Sequence, residues 1–134
     1  LLRIGELVEE HGIKPNPQTV IHDIALETQF MLGELLAKHH KLIKAYTILP
    51  HGQGDIDIVL LDKNRKPAIA YEVKIGEITR NEARRIPEKI REYGIPRVGL
   101  ISLTEKPPKE KADITLGPQE IIAIAEEIKK RETT

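Results

Sequence analysis

The amino-acid sequence has no cysteine and no tryptophan, and its 134 residues include one methionine, one phenylalanine and three tyrosines. Without cysteine, this chain cannot form a disulfide, use a catalytic thiolate or build a cysteine-type zinc site. It has no apolar run long enough to span a bilayer, and no segment that resembles a signal peptide. We therefore expect a soluble, cytoplasmic protein with no membrane partner.

A net charge of either sign is also absent, because 21 lysines and arginines balance 21 aspartates and glutamates. Binding to nucleic acid would therefore depend on a local basic patch. The scarcity of aromatic side chains disfavours base stacking and so favours a duplex or branched partner over a single strand. The length suits one domain with one core. Since the chain begins at Leu1, we expect a processed chain or a fragment of a larger protein.

The order of predicted elements indicates an α/β fold with a mixed central sheet. We predict a short helix and linker over residues 1–16, which could be the tail of an upstream domain, and one domain over residues 17–134. Asn16 suits the cap of a helix that begins at Pro17 and ends near His40. Strands are predicted over residues 44–50, 55–62, 68–75, 97–103 and 112–117, and a last helix begins at Pro118.

A helix between the third and fourth strands has a clear start signal. Thr79 and Glu82 form the S/T-x-x-E capping box, and Gly94 ends the helical pattern. Pro87 falls inside this pattern and predicts a kink or a break, because proline lacks the N–H that a helix interior uses.

Four charged residues stand in segments that otherwise resemble buried strands. Asp55 and Asp57 share one face of the second strand, and Glu72 and Lys74 share one face of the third. Buried charge is costly unless it is paired or bound to metal. These residues therefore lie either at a wet strand end or in a site.

A hairpin could bring two of these acids together. A two-residue turn at Asn64–Arg65, with asparagine in the positive-φ position, would place Asp57 opposite Glu72. Two close carboxylates repel each other, and a cation such as Mg²⁺ or Mn²⁺ would remove that conflict. Lys74 beside the metal could orient or deprotonate a water, or stabilise charge on a phosphate.

The pattern D-x(14)-E-x-K across a hairpin, with a helix and a strand before and after it, resembles the PD-(D/E)XK nuclease superfamily. This family includes restriction endonucleases and Holliday-junction resolvases. The resemblance covers about residues 17–103 and implies an αβββαβ restriction-endonuclease-like core, followed here by an extra strand and helix. It implies a metal-dependent DNA endonuclease of repair or recombination, which could act as a homodimer. The proline that often precedes the first acid is missing, and the following helix lacks the glutamine of RecB-type members, so the subfamily stays open.

The family pattern also implies roles for individual residues. Catalysis would fall to Asp57, Glu72 and Lys74. The ligands of Mg²⁺ or Mn²⁺ would be Asp57, Glu72, Val73, Asp55 and Glu34, with Glu27 as the alternative to Glu34 on the first helix. Independently of the family pattern, the basic residues of the helix beside this site could bind nucleic-acid phosphates, together with two residues of the turn before the acids: Arg80, Arg84, Arg85, Lys89, His51 and Gln53. For His51, a plain surface loop is the stronger interpretation.

Other interpretations stay open. The basic residues after the motif could equally form a solvated helix face balanced by neighbouring glutamates. His39 and His40 diverge on a helix and suggest a solvated helix end. ELVEEHGIKPNPQTVIHDI could belong to a helix-turn-helix, although two prolines flank its turn. The whole chain could also be a catalytically inactive nuclease-fold domain for nucleic-acid binding or assembly, such as part of a larger ATPase.

Overall fold

The computed structural model describes residues 17–45 and 57–133, with side chains from residue 27 onward. The predicted N-terminal helix, most of the segment considered as a helix-turn-helix and most of the predicted first strand lie outside the described residues. In chain order the elements are α1 (Pro17–His40), β1 (Ile43–Lys44), β2 (Ile58–Leu61), β3 (Pro67–Lys74), α2 (Arg80–Arg91), β4 (Arg97–Ser102), β5 (Ile114–Leu116) and α3 (Pro118–Thr133). The chain divides into two units, Leu1–Leu32 and Gly33–Thr134, and α1 contributes to both.

The sheet is mixed, as predicted. Within the described residues, five strands stand in the order β1-β2-β3-β4-β5. Strands β1, β2 and β3 pair antiparallel, whereas β3, β4 and β5 pair parallel. The α/β class is therefore confirmed. None of the described helices is long and apolar enough to cross a membrane.

Helix α2 begins at the predicted capping box. The Glu82 N–H donates to Thr79 Oγ1 at 3.2 Å, and the Thr79 N–H donates to Glu82 Oε1 at 3.1 Å. The helix continues through Pro87 to Arg91, so the predicted break does not occur. Pro87 is fully buried. Burial of its ring offsets the hydrogen bond that proline cannot make.

The loop between β2 and β3 differs from the predicted two-residue turn. The Arg65 N–H donates to the Asp62 carbonyl, and the Asp62 N–H donates to the Lys66 carbonyl, both at 2.9 Å. Arg65, rather than Asn64, has the positive φ, at 62°. The connection is therefore a type I turn followed by one left-handed residue, which is the common three-residue hairpin loop.

A bulge at Ala68 then resets the register of the hairpin. Leu61 pairs with Pro67, but Leu60 pairs with Ile69, so the ladder skips one residue of β3. A shift of one residue turns all later side chains of β3 to the opposite face relative to β2. The bulge therefore decides which residues of β3 face the acids of β2.

Helices cover both faces of the sheet in the unit 33–134. Helix α2 packs on one face through an apolar cluster: Val59, Ala70, Ile78, Ala83, Ile86, Ile90, Ile95, Val98, Leu100 and Ala112. On the opposite face, His40 at the end of α1 contacts the buried Tyr71 of β3, with 2.5 Å between His40 Nε2 and the Tyr71 hydroxyl. Helix α3 lies beside the end of α1, because Lys38 Nζ donates to Glu132 Oε1 at 2.8 Å.

The contact with Tyr71 corrects the expectation of a solvated histidine pair. His39 and His40 are both half-buried. Burial lowers the pKa of His40, and the charges of His39 and Arg97 lower it further. The Tyr71 ring has room because residue 99 beside it in β4 is glycine, where an added Cβ would lie 2.2 Å from Tyr71 Cε1.

Candidate functional site

Two acids lie on neighbouring strands where β2 begins and β3 ends. The ladder runs up to Ile58 paired with Tyr71, so Asp57 comes opposite Glu72, in the register that the sequence predicts. The Val73 N–H donates to Asp57 Oδ2 at 2.8 Å. The Asp57 side chain therefore takes the place of the next ladder bond and is fixed against the strand that carries Glu72.

Lys74 is held by an acid from α2. Its Nζ donates to Glu82 Oε2, while the other oxygen of Glu82 accepts the Thr79 N–H. The side chains of Lys74 and Glu82 are 36% and 19% exposed, so water screens this ion pair only in part. One carboxylate thus joins the start of α2 to the end of β3.

The segment between β3 and α2 is fixed by a buried serine. Ser102, at the end of β4, pairs with Lys74 and is fully buried. Its hydroxyl donates to the Gly76 carbonyl at 2.8 Å. Because this bond restrains the chain directly after Lys74, the lysine projects from a backbone that is held on both sides.

A pocket of about 350 Å³ opens between the end of β3 and α2. It is lined by Glu72, Lys74, Glu82, Arg85, Ile86, Lys89 and Ile90. One oxygen of Glu72, Oε2, is buried, whereas the residue as a whole is half-buried. The pocket is at the small end of the range for ligand sites, and it combines an apolar wall with charges of both signs.

The basic residues of α2 separate into two sets. Arg85 and Lys89, four residues apart and so on one side of the helix, line the pocket. Arg80 and Arg84, also four apart, lie outside it and contact Glu110, with their Nε atoms 3.3 and 3.4 Å from its two carboxylate oxygens. The sequence grouped these four residues as one nucleic-acid-binding set, whereas the structure separates them into a pair at the pocket and a pair at Glu110.

Arg91, at the end of the same helix, binds the loop that precedes β5. Its Nη2 donates to the Lys111 carbonyl at 3.0 Å and to Asp113 Oδ2 at 2.8 Å. Asp113 Oδ2 also accepts the Val98 N–H at 2.8 Å. Burial raises the pKa of Asp113, but the bond from Val98 and the charge and hydrogen bond of Arg91 outweigh it, so the pKa is lowered.

Of the remaining predicted site residues, the structure describes only Glu34 and Glu27. Glu34 is exposed on α1, and Glu27 belongs to the unit 1–32. Asp55, His51 and Gln53 lie outside the described residues. Among the residues that are described, no group of three or more histidines and acids could hold a metal ion.

The donors that do come together still suit a hard cation. Asp57 and Glu72 supply carboxylate oxygens, and Val73 can supply its main-chain carbonyl. Mg²⁺ takes such oxygen ligands, usually from one or two carboxylates with water completing the shell. The donor chemistry therefore fits a magnesium-type ion, for which Asp57 and Glu72 would be the anionic ligands.

Three residues of the site have roles that the sequence did not suggest. Glu82 was predicted only as a helix cap, yet it also holds Lys74. Ser102 and Glu110 were not predicted at all. The capping box could have drawn attention to Glu82, but no local pattern marks Ser102 or Glu110, because both act on residues more than twenty positions away.

Comparisons of the chain with protein-family models, with curated proteins and with solved structures found no significant match. The structure itself defines an α/β protein with a mixed five-stranded sheet and a charged pocket beside the end of β3. Because a fold does not fix an activity, the function has to be argued from the chemistry of this pocket.

Proposed function

We propose that this chain is a metal-dependent DNA endonuclease of the PD-(D/E)XK type, built on the αβββαβ core that its element order suggests. One observation carries the proposal. The Asp57 carboxylate, bound by the Val73 N–H, lies beside the short segment of β3 that presents Glu72 and Lys74. Two acids and a lysine next to a pocket form a suitable set for metal-assisted hydrolysis of a phosphodiester.

Asp57 and Glu72 are the proposed anionic ligands of Mg²⁺ or Mn²⁺, with the Val73 carbonyl as a neutral ligand. Asp55 and Glu34 are candidates for the remaining positions. When bound, the ion would polarise the phosphate and lower the pKa of a coordinated water.

The other residues of the pocket would act on the substrate directly. Lys74, held by Glu82, would position the attacking water and stabilise the negative charge that develops on the phosphate. Arg85 and Lys89 would neutralise the phosphate charge at the other side of the pocket. Such contacts bind the backbone rather than the bases, which suits a duplex or branched DNA.

The test is cleavage of supercoiled, linear, single-stranded and four-way-junction DNA with Mg²⁺, with Mn²⁺ and with EDTA. The Glu72→Gln and Lys74→Ala variants should each lose at least about a hundredfold in rate. Glu77→Gln is the matched control, because Glu77 is an exposed acid only five residues from Glu72. Cleavage that survives in EDTA, or in both site variants, would contradict the proposal.

A second candidate is a catalytically inactive nuclease-fold domain that binds nucleic acid or serves assembly. Two observations favour it: Lys74 already has an anionic partner, and a cluster of three acids or histidines is missing from the described residues. This candidate predicts DNA binding without cutting under every metal. The same cleavage panel, combined with a binding assay, separates the two.

A further inference from the structure

Glu110 occupies the space between two arginines on the outer side of α2. Its Oε1 lies 3.3 Å from Arg80 Nε, and its Oε2 lies 3.4 Å from Arg84 Nε. Each arginine side chain is more than half exposed, at 72% and 53%, whereas Glu110 is 27% exposed. The two oxygens of one anion are therefore shared between two accessible guanidinium groups.

The position of this cluster on the helix favours an anion. Arg80 is the first residue of α2 and Arg84 lies one turn later. The start of a helix carries partial positive charge from its N–H groups, so two cations placed there raise the local potential further. A carboxylate relieves this accumulation of positive charge, and so would a phosphate.

The loop that carries Glu110 is anchored separately from its side chain. Arg91 binds the Lys111 carbonyl and the Asp113 carboxylate, and the Ala112 N–H donates to the Lys109 carbonyl at 2.8 Å. The Glu110 side chain could therefore swing away from the arginines while the backbone of the loop stays in place.

We infer that Arg80 and Arg84 form a second binding site for a backbone phosphate of nucleic acid, and that Glu110 fills this site in the free protein. The inference rests on the proposed function and deepens it by adding a competing internal anion. A guanidinium pair binds phosphate in the same way as it binds a carboxylate, through charge-assisted hydrogen bonds. Glu110 thus weakens binding to any DNA that cannot displace it.

The experiment measures the affinity for a fluorescently labelled DNA duplex in EDTA, so that binding is separated from cleavage. Glu110→Gln keeps the size of the side chain and removes its charge. This variant should bind the duplex roughly three- to tenfold more tightly. Each exposed ion pair is weak, but two of them no longer compete with the DNA phosphate for the arginines. Glu88→Gln is the matched control. It also removes one negative charge, but from a residue of α2 whose partner is Lys111, at 4.0 Å.

A second comparison assigns the gain to the arginines. The Glu110→Gln change should improve binding only while Arg80 and Arg84 are present, and it should have no effect in a chain that carries Arg80→Ala and Arg84→Ala. An equal gain from Glu88→Gln, or a gain that survives without the arginines, would overturn the inference and leave a general charge effect.

A third measurement works even if the chain does not bind DNA, in which case the proposed function fails separately. The arginine Nε–H signals are followed by NMR while inorganic phosphate is added. In Glu110→Gln the signals of Arg80 and Arg84 should shift with phosphate at lower concentrations than in the parent chain. Signals that do not respond in either protein would refute the phosphate site itself.

Discussion

The dual role of Glu82 gives the sharpest prediction, because its two oxygens perform separate tasks. Oε1 caps α2 through the Thr79 N–H, and Oε2 binds Lys74. A Glu82→Gln variant removes the charge that holds Lys74, and its amide oxygen can still accept the Thr79 N–H. A Thr79→Ala variant removes the reciprocal capping bond to the Glu82 N–H and leaves the carboxylate in place.

The expected change in the free energy of unfolding of each variant follows from the type of contact that it loses and from how exposed that contact is. Loss of the threonine cap should lower the free energy of unfolding by about 1 kcal/mol. Loss of the charge in Glu82→Gln should cost a similar amount, about 1 kcal/mol, because the pair is partly exposed and water screens it in part. The two variants should therefore melt within a few degrees of each other.

For the proposed nuclease activity, the two variants should differ although their stabilities match. Without its partner, the Lys74 ammonium samples several rotamers, and misplacement of a positioning group costs roughly ten- to a hundredfold in kcat. KM should change little, because Arg85 and Lys89 remain in the pocket. Thr79→Ala should cut DNA at close to the parent rate, measured well below either melting temperature.

Equal activity of Glu82→Gln and the parent would refute the positioning role, and so would equal losses in Glu82→Gln and Thr79→Ala. The first result would mean that Lys74 needs no partner. The second would mean that only the helix start matters. A faster Glu82→Gln enzyme would show that the ion pair restrains Lys74 in an inactive position.

Three further predictions concern the scaffold. Burial lowers the pKa of His40 below 6.5, so the unfolded chain takes up a proton at a higher pH than the folded chain does. The contribution of His40 to the free energy of unfolding should be full above pH 6.5 and fall as the pH drops through the folded pKa. Chemical denaturation at several pH values should show that this dependence disappears in His40→Gln. Tyr71→Phe should lower the free energy of unfolding by about 1–3 kcal/mol, because it removes the hydroxyl that His40 Nε2 contacts, and an unchanged denaturation midpoint would argue against the pair. Gly99→Ala should destabilise by about 1–3 kcal/mol in the same assay, since its Cβ would overlap the Tyr71 ring, and a neutral effect would mean that the ring moves freely.

Local sequence was sufficient where a few neighbouring residues complete each other's hydrogen bonds. Helix α1 begins at Pro17 and ends at His40 as the cap and the periodicity predicted, and the Thr79–Glu82 box starts α2. Such signals can be recognised in a sequence because the backbone groups that they hydrogen-bond lie within one helical turn. The mixed sheet also followed from the order of strands and helices.

Proline within α2 shows the limit of local signals. The sequence predicted a kink or a break at Pro87, and the break does not occur, because the helix is continuous and the ring is buried. Packing against the sheet outweighed a local preference, as tertiary contacts commonly do.

The site depended on more distant contacts. The sequence predicted that Asp57 would lie opposite Glu72, but it derived this register from a two-residue turn that does not occur. The bulge at Ala68 restores the register, and no residue type in the sequence indicates that bulge. The partners of the cations were decided by packing alone, since Glu82 reaches Lys74 across the gap between α2 and β3, and Glu110 reaches α2 from a distant loop. Local patterns in the chain thus specify the helices, the strands and the residue types of the site. The pairing of charges follows from long-range packing, because it depends on distances set by the whole fold.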